Sequence, residues 1–215
     1  TPVTAIRIAA ENLQEEALPD PAQAGAQSIL RSVDRLAMLL GDLSELSRIE
    51  SGALHLDPVR LDLAAFIASV VKDQEARLAD ASVQLDVDLD APEGCVLQAD
   101  PLRLSQVLEN LLSNAIKFSP PGGRVRLGVH LSPQGQLWEV ADQGPGVPEA
   151  EQGRIFERFY RSQAAKAKPG TGLGLAIVKH LCRLMGGEVT VESRPGEGAT
   201  FKVMLPPQPT GGDPA

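Results

Sequence analysis

The stretch NLLSNAIKFSP, residues Asn110–Pro120, lies within a segment with the spacing of an amphipathic helix. Its apolar residues recur at three- and four-residue intervals: Leu104, Leu108, Leu111 and Ala115. This spacing predicts a helix from Pro101 to Phe118. Asparagine is a mediocre helix former because its side-chain amide competes for backbone hydrogen bonds. The presence of Asn110 and Asn114 one turn apart, with Lys117 close behind, therefore needs an explanation beyond helix formation.

A helical wheel separates the polar and apolar residues of this segment. At about 100° per residue, five polar side chains share one face: Arg103, Gln106, Asn110, Asn114 and Lys117. Amide oxygens are neutral ligands that suit Mg²⁺, and an ammonium group suits a phosphate. The face fits a metal–nucleotide, but it fits equally well the solvated side of an ordinary amphipathic helix.

A second segment, ADQGPGVP at residues 141–148, follows the strand-like QLWEVAD. Asp and Gly are common turn residues, so a simple turn explains the segment by itself. In a binding site, Gly144 and Gly146 would let a ligand approach the backbone closely. Asp142 would then be a fixed acceptor for an amino group such as that of adenine.

A third segment, KPGTGLGLAIVKH at residues 168–180, places three glycines before an apolar helix. The amino end of a helix favours anions, yet the spacing fits neither a P-loop nor a Rossmann fingerprint. Upstream of it, IFERFYR at residues 155–161 predicts a short helix. SQAAKAKP at residues 162–169 predicts a mobile lid that Phe156 and Phe159 anchor to the core.

Composition narrows the class of protein. Of the 215 residues, 43% are hydrophobic but 3% are aromatic, which predicts a core of Leu, Val, Ile and Ala. The net charge of −8 argues against nucleic acid as a partner. Cys95 and Cys182 are expected to be buried thiols in a reducing compartment. With no apolar run of about 18 residues and no initiator Met before TPVTAI, we expect a cytoplasmic fragment of a longer protein.

The chain is predicted to contain two folded parts. Helices at about 1–17 and up to Ser51 form a hairpin, and the second carries an apolar seam that a second copy would cover. That seam consists of Ile29, Val33, Leu36, Leu40, Leu43, Leu46 and Ile49. Downstream, helices mix with strands, and the last two strands pair across the turn at 194–198. The predicted fold class is α+β: a hairpin forming a dimeric four-helix bundle, then a two-layer α/β sandwich.

Four segments in one order resemble a known family. DPLRLSQVLENLLSNAIKFSP, DQGPGV, IFERFYR and GTGLGLAIVK resemble the N, G1, F and G2 boxes of the sensor histidine kinases of two-component systems. TPVTAI is similar to the segment that follows the phosphoacceptor histidine in the family's dimerisation helix. The resemblance implies a hairpin at 1–57, an ATP-binding domain of the gyrase and mismatch-repair superfamily at 58–206, and a disordered tail at 207–215.

The resemblance implies a role for residues at the phosphate end of the site. Asn114 would coordinate Mg²⁺, with Asn110 contacting the metal or its water shell. Lys117 would bind phosphate oxygens of ATP, and Arg161 would approach the γ-phosphate. The lid residues would hinge the loop and admit the phosphates: Gly170, Thr171, Gly172, Leu173 and Gly174.

The resemblance also implies an adenine pocket. Phe118 would lie near the base, and Asp142 would accept a hydrogen bond from its amino group, which selects ATP over GTP. Gly144 and Gly146 would line the pocket. The implied partners are a second copy of the chain and a response regulator docking on residues such as Val3, Ile6, Arg7 and Ala10. Anchoring of the parent protein in the inner membrane, as in many relatives, stays open.

Two departures from related motifs bear on the reaction. Hydrolysing ATPases carry a glutamate base where this chain has Asn110, and Glu109 is expected to point away, so transfer to a protein is favoured over hydrolysis. The acceptor histidine would lie four residues before Thr1. His55, His130 and His180 are expected to be structural or surface residues. The fragment should therefore bind ATP without phosphorylating itself at the usual place.

Three alternatives to an autokinase are compatible with some of these features. A regulator phosphatase or ATP-gated scaffold would use the same site, and Thr1 resembles the family residue that orients water for dephosphorylation. A gyrase-type ATPase is disfavoured by Asn110 and by the hairpin. An anti-sigma serine kinase shares the nucleotide site but ordinarily lacks the hairpin.

Overall fold

The helix that contains the asparagines begins and ends where its flanking residues require. A computed structural model describes residues 2–15, 20–166 and 168–207. Asp100 caps the helix, since its Oδ1 accepts a hydrogen bond from the Arg103 amide at 3.1 Å, and Pro101 occupies the first turn. The helices are α1 (Pro2–Glu15), α2 (Asp20–Glu50), α3 (Leu63–Ala81), α4 (Pro101–Phe118), α5 (Glu149–Gln152), α6 (Gln163–Lys166) and α7 (Gly174–Leu184).

Five strands form one sheet in the order β2-β4-β5-β7-β6, in which β2 and β4 are parallel and the other neighbours antiparallel. A separate antiparallel pair joins β1 and β3, which the sequence analysis did not predict. The strands are β1 (Val59–Asp62), β2 (Gln84–Asp90), β3 (Val96–Ala99), β4 (Arg124–Ser132), β5 (Gly135–Ala141), β6 (Glu188–Ser193) and β7 (Ala199–Leu205). The predicted pairing of the last two strands is confirmed, with Val189 opposite Val203.

Helices α4 and α7 pack on the sheet, and α3 packs beside α4. The core between these layers is mainly aliphatic, as the composition predicts, and encloses Trp138 with the ring of Phe66 edge-on at 6.3 Å. Cys182 is buried and Cys95 is partly buried. This arrangement and the hairpin before it confirm the predicted α+β class.

Helices α1 and α2 pack against each other, with an ion pair from Arg7 to Asp34 at 4.0 Å between them. The predicted apolar seam on α2 divides three ways. Val33 is buried in the hairpin, and Leu46 is 1% exposed within the core of the sandwich. The remaining described seam residues are exposed: Ile29, Leu36, Leu40 and Leu43. The side chain of Ile49 lies outside the described residues.

Three expectations, two about side chains and one about a helix, are wrong. Ala10 is 2% exposed, so it is buried and does not contribute to a docking surface on α1. Residues 155–161 form turns instead of a helix. Phe156 is buried beside Phe201, at 6.4 Å between ring centroids, as expected of an anchor. Phe159, however, has a left-handed φ of 60° and is 60% exposed, so it does not anchor the loop.

No helix in the described ranges is long and apolar enough to cross a membrane. The predictions for Thr1 and for most of the tail, residues 208–215, fall outside the described residues.

Candidate nucleotide site

A cleft of about 1060 Å³ lies between the hairpin helix α2, the helix α4 and the loop of residues 161–173, of which residue 167 is not described. Its floor is the polar face of α4, and one end is closed by the turn after β5. Most of the residues singled out from the sequence line it: Asn110, Asn114, Lys117, Phe118, Asp142, Gly146, Arg161, Gly170, Thr171, Gly172 and Gly174.

The two asparagines lie on the floor of the cleft. Asn110 donates a hydrogen bond from Nδ2 to the backbone oxygen of Gln106 at 2.9 Å, which leaves its Oδ1 toward the start of α7. A Cβ at Gly174 would lie 2.6 Å from that Oδ1, so a side chain there would displace the amide. Asn114 lines the cleft one turn further along. Two asparagine side chains therefore line one cavity, and the Oδ1 of Asn110 lies next to the amino end of α7.

Three cations cluster beside these amides. Partial burial lowers the pKa of Lys117, and the nearby charges of Arg161 and Lys168 lower it further. Arg161 donates to the backbone oxygens of Ala165 and Lys168, and Lys168 donates to the backbone oxygen of Lys117. In the described part of the chain, no carboxylate pairs with these three cations. Such crowding of like charge favours a bound anion.

The other end of the cleft carries an isolated carboxylate. Asp142 accepts a hydrogen bond from the Gly144 amide at 2.7 Å and donates its own amide to Ala199 O at 2.9 Å. Burial raises the pKa of Asp142. Apolar residues that line the same cleft include Val147, Ile155 and Phe201. A polar acceptor among apolar walls suits a flat heterocycle bearing an amino group.

The glycines of this turn fit its close packing. Gly146 has a φ of +72°, and a Cβ there would overlap the carbonyl oxygen of Arg194 in the turn between β6 and β7. A Cβ at Gly144 would come within 2.8 Å of Asp142 Oδ1. Gly144 therefore supports Asp142 from behind and does not line the cleft. Leu173 is also absent from the lining, because its side chain is buried in the core.

The hairpin closes the remaining side. Thr171 donates a hydrogen bond from Oγ1 to Asp42 Oδ2 at 2.9 Å, and burial raises the pKa of Asp42. Glu45 forms an ion pair with Arg103 at 2.8 Å and accepts a hydrogen bond from Gln106. The polar face of α4 is therefore divided: its first turns bind the hairpin helix, and its last turns face the cavity.

Several lining residues were missed or misjudged from the sequence. Glu109 lines the cleft, so the expectation that it points away from the site is wrong. Glu109 lies about 100° around α4 from Asn110, and the cleft is wide enough to include both side chains. One face of α2 also lines it: Ser28, Arg31, Ser32, Arg35, Met38 and Asp42. These residues have three- and four-residue spacing in the sequence, but α2 was interpreted only from its apolar seam, so this second face was missed.

The cleft therefore combines an amide pair, a cation cluster and a buried acceptor carboxylate, on a sandwich preceded by a helical hairpin. The sequence model described as "Histidine kinase-, DNA gyrase B-, and HSP90-like ATPase" matches residues 99–209. That described as "His Kinase A (phospho-acceptor) domain" matches residues 1–52. The chain belongs to the sensor histidine kinases of two-component systems, a family of protein-histidine kinases, as the resemblance implied.

Individual relatives agree with this family. "Signal transduction histidine-protein kinase/phosphatase MprB" of Mycobacterium sp. (strain KMS) is 40% identical over 223 residues, covering 97% of this chain and 42% of MprB. The crystal structure of full-length ShkA in complex with AMPPNP has a TM-score of 0.79 and 28% identity, covering 97% of this chain and 44% of ShkA. The chain thus spans less than half the length of either relative.

A further solved structure shares the fold. The histidine kinase ThkA, in complex with the response regulator protein TrrA, has a TM-score of 0.71 at 22% identity. The similarity covers 96% of this chain and 57% of that chain.

Proposed function

We propose that this chain is the catalytic core of a sensor kinase that uses Mg·ATP to phosphorylate a histidine just upstream of Thr1. The phosphoryl group then passes to an aspartate of a response regulator. The observation that carries the proposal is the convergence of Asn110, Asn114, Lys117 and Asp142 on one cleft bounded by the hairpin. Residues 1–57 would be the dimerisation hairpin, 58–206 the ATP-binding domain and 207–215 a tail.

The chemistry of the cleft fits a nucleotide. Asp142 would accept the adenine amino group, Phe118 and the apolar wall would hold the base, and Lys117 with Arg161 would bind the phosphates. Burial and, after it, the charges of Arg161 and Lys168 lower the pKa of Lys117, and a polyphosphate would relieve the like-charge repulsion. Asn114 and Asn110 would hold Mg²⁺, which supplies neutralisation of phosphate charge when bound. Gly170, Gly172 and Gly174 would let the loop backbone approach the phosphates.

Two features favour transfer to a protein group over hydrolysis. Asn110 is a poor general base for water. Helix α1 ends at Glu15, α2 begins at Asp20, and Arg7 pairs with Asp34, so the two helices run antiparallel. The first residues of α1 therefore lie toward the end of the hairpin that carries Asp42 and Glu45. Those two residues contact the ATP-binding unit, and a histidine upstream of Thr1 would lie near that contact. An imidazole nitrogen would form the N–P bond as the bond from the γ-phosphorus to the bridging oxygen breaks and ADP leaves.

The proposed partners follow from the surface of the hairpin. The exposed stripe Ile29, Leu36, Leu40 and Leu43 is apolar, and a second copy would cover it in a four-helix bundle. A response regulator is supported by the likeness to ThkA, whose structure contains one. Ile6 and Arg7 are exposed on α1 and remain available to such a partner.

A second candidate is a protein that mainly dephosphorylates the response regulator. The relative MprB is named a kinase/phosphatase, and Thr1 is the residue that would orient the attacking water. The two candidates differ in the direction of phosphate flow and share the same nucleotide site.

The metal assignment is tested with Asn114→Ala and the control Ser105→Ala, which lies on the same helix outside the cleft. Calorimetry with ATP, with and without Mg²⁺, should show that Asn114→Ala loses the Mg²⁺-dependent part of the affinity while the control keeps it. Binding of Mg·ATP at wild-type affinity by Asn114→Ala would refute the assignment.

The reaction is tested with a chain extended upstream through the expected histidine, incubated with Mg²⁺ and radiolabelled ATP. Acid-labile, base-stable label on the extended chain, and none on the 215-residue chain, would establish autophosphorylation upstream of Thr1. No label on either chain, despite ATP binding, would favour the phosphatase candidate.

A further inference from the structure

Helix α3 carries a polar residue at a position that packing alone would give to an aliphatic side chain. Its buried face consists of Leu63, Phe66, Ile67, Val70 and Gln74. Gln74 is 0% exposed, and its Nε2 has no hydrogen-bond partner among the described residues. A buried amide donor without a partner destabilises the folded state, because the donor loses its hydrogen bond to water. Packing on the buried face of α3 does not explain why an amide occupies this position.

The hydrogen bond that Gln74 does make is to Arg77. Its Oε1 accepts from Arg77 Nη1 at 2.9 Å, which fixes the guanidinium one turn along the helix. Arg77 lines the nucleotide cleft, as do Ser113 and Asn114 on the neighbouring helix. The buried amide therefore orients a cation at the edge of the site.

The direction of the helices brings Arg77 to the relevant part of the cleft. Helices α3 and α4 pack side by side, and the Gly122 amide donates to Ser82 O where the two helices end. The last turns of α3, with Arg77, thus lie beside the last turns of α4, with Asn114 and Lys117. No site residue was predicted on α3 from the sequence.

Arg77 has no carboxylate partner in the part of the chain that the structure describes. The residue is exposed and lines the cleft that also holds Lys117 and Arg161, so its guanidinium is accessible to a ligand in that cleft. A guanidinium offers a planar fork of donors that matches phosphate oxygens. The complementary ligand is therefore a phosphate group.

We propose that Arg77, positioned by Gln74, binds a phosphate oxygen of the nucleotide from the α3 side of the cleft. This inference rests on the proposed ATP site and adds a phosphate-binding residue from helix α3. Arg77 is the binding residue, and Gln74 acts through it.

The first test compares Arg77→Ala with Lys72→Ala, which removes an exposed cation of the same helix that does not line the cleft. Binding of ATP and of adenosine to the full chain is measured by calorimetry. Loss of a charge-assisted hydrogen bond should weaken ATP binding about tenfold in Arg77→Ala and leave adenosine binding unchanged. ATP affinity equal to that of Lys72→Ala would overturn the proposal.

The second test isolates the positioning role of Gln74. Gln74→Leu should weaken ATP binding without lowering the melting temperature, because the substitution also removes the unpaired amide. Its effect on ATP affinity should vanish in the Arg77→Ala background, since Gln74 acts through Arg77. A Gln74→Leu effect that persists in that background, or that appears as a loss of stability alone, would overturn the positioning role.

The controls separate this inference from the function on which it rests. If the wild-type chain fails to bind ATP, both the proposed ATP site and the Arg77 contact are refuted. If the wild type binds ATP and Asn114→Ala impairs it, while Arg77→Ala matches the control, the ATP site stands and the Arg77 contact alone is refuted.

Discussion

Replacing Leu46 by alanine tests whether the hairpin is anchored in the ATP-binding unit. Leu46 belongs to the hairpin helix α2 but is 1% exposed within the core of the sandwich. Leu→Ala changes at buried sites lose the transfer free energy of the side chain and leave a cavity, which costs about 3 kcal/mol or more. For a chain of this size, that loss lowers the melting temperature by roughly 6–12 °C.

Leu43→Ala is the matched control, because Leu43 lies one turn earlier on the same helix and is 53% exposed. In dilute protein the control should change stability by no more than about 0.5 kcal/mol. Since Leu43 belongs to the exposed apolar stripe, its removal should instead weaken self-association. Circular dichroism melts and sedimentation equilibrium measure the two effects separately.

Leu46→Ala should therefore lower the stability to unfolding, whereas Leu43→Ala should weaken dimerisation. A loss below about 1 kcal/mol for Leu46→Ala would refute the anchoring of the hairpin. Equal destabilisation by both variants would show that burial of the two residues does not differ as described.

Three further changes test the site. Lys117→Met should weaken ATP binding at least tenfold and slightly raise the melting temperature of the unliganded protein, because it removes a partly buried cation crowded by Arg161 and Lys168; binding assays and melts check both. Burial raises the pKa of Asp142, so Asp142 should become protonated at a higher pH than an exposed aspartate does. Protonation should stabilise the unliganded chain and weaken ATP binding. The check is the pH dependence of ATP affinity, which should be present in the wild type and absent in Asp142→Asn. Glu45→Ala, which leaves the largely buried Arg103 without its ion-pair partner, should cost about 3 kcal/mol in chemical denaturation, and an unchanged midpoint would contradict the importance of this pair.

The sequence predicted the elements with strong periodicity or strong turn signals. The spacing of Leu104, Leu108 and Leu111 defined α4, and alternation defined β4 to β7. The short pair β1–β3 was missed because four residues such as Val59–Asp62 carry too little alternation to stand out. The turn structure of residues 155–161 was mistaken for a helix because an apolar and basic heptapeptide fits either state.

The floor of the candidate site could also be predicted, since Asn110, Asn114 and Lys117 share one helical face. The walls could not, because they depend on how separate segments meet. Glu45 pairs with Arg103 across 58 residues of sequence, and Thr171 meets Asp42 across 129. Such contacts leave no local pattern in the sequence.

The divided face of α4 has a mechanical consequence. An α-helix of 18 residues is a stiff rod of about 27 Å, held at one end by the hairpin through Arg103 and open to the cavity at the other through Asn114 and Lys117. The stiffness of the helix links the contact with the hairpin at one end to the cavity at the other. Substitutions in the early turns of α4 can change its contact with the hairpin while the later turns, which face the cavity, keep their residues. New input modules could therefore be joined to such a core by tuning one end of a single helix.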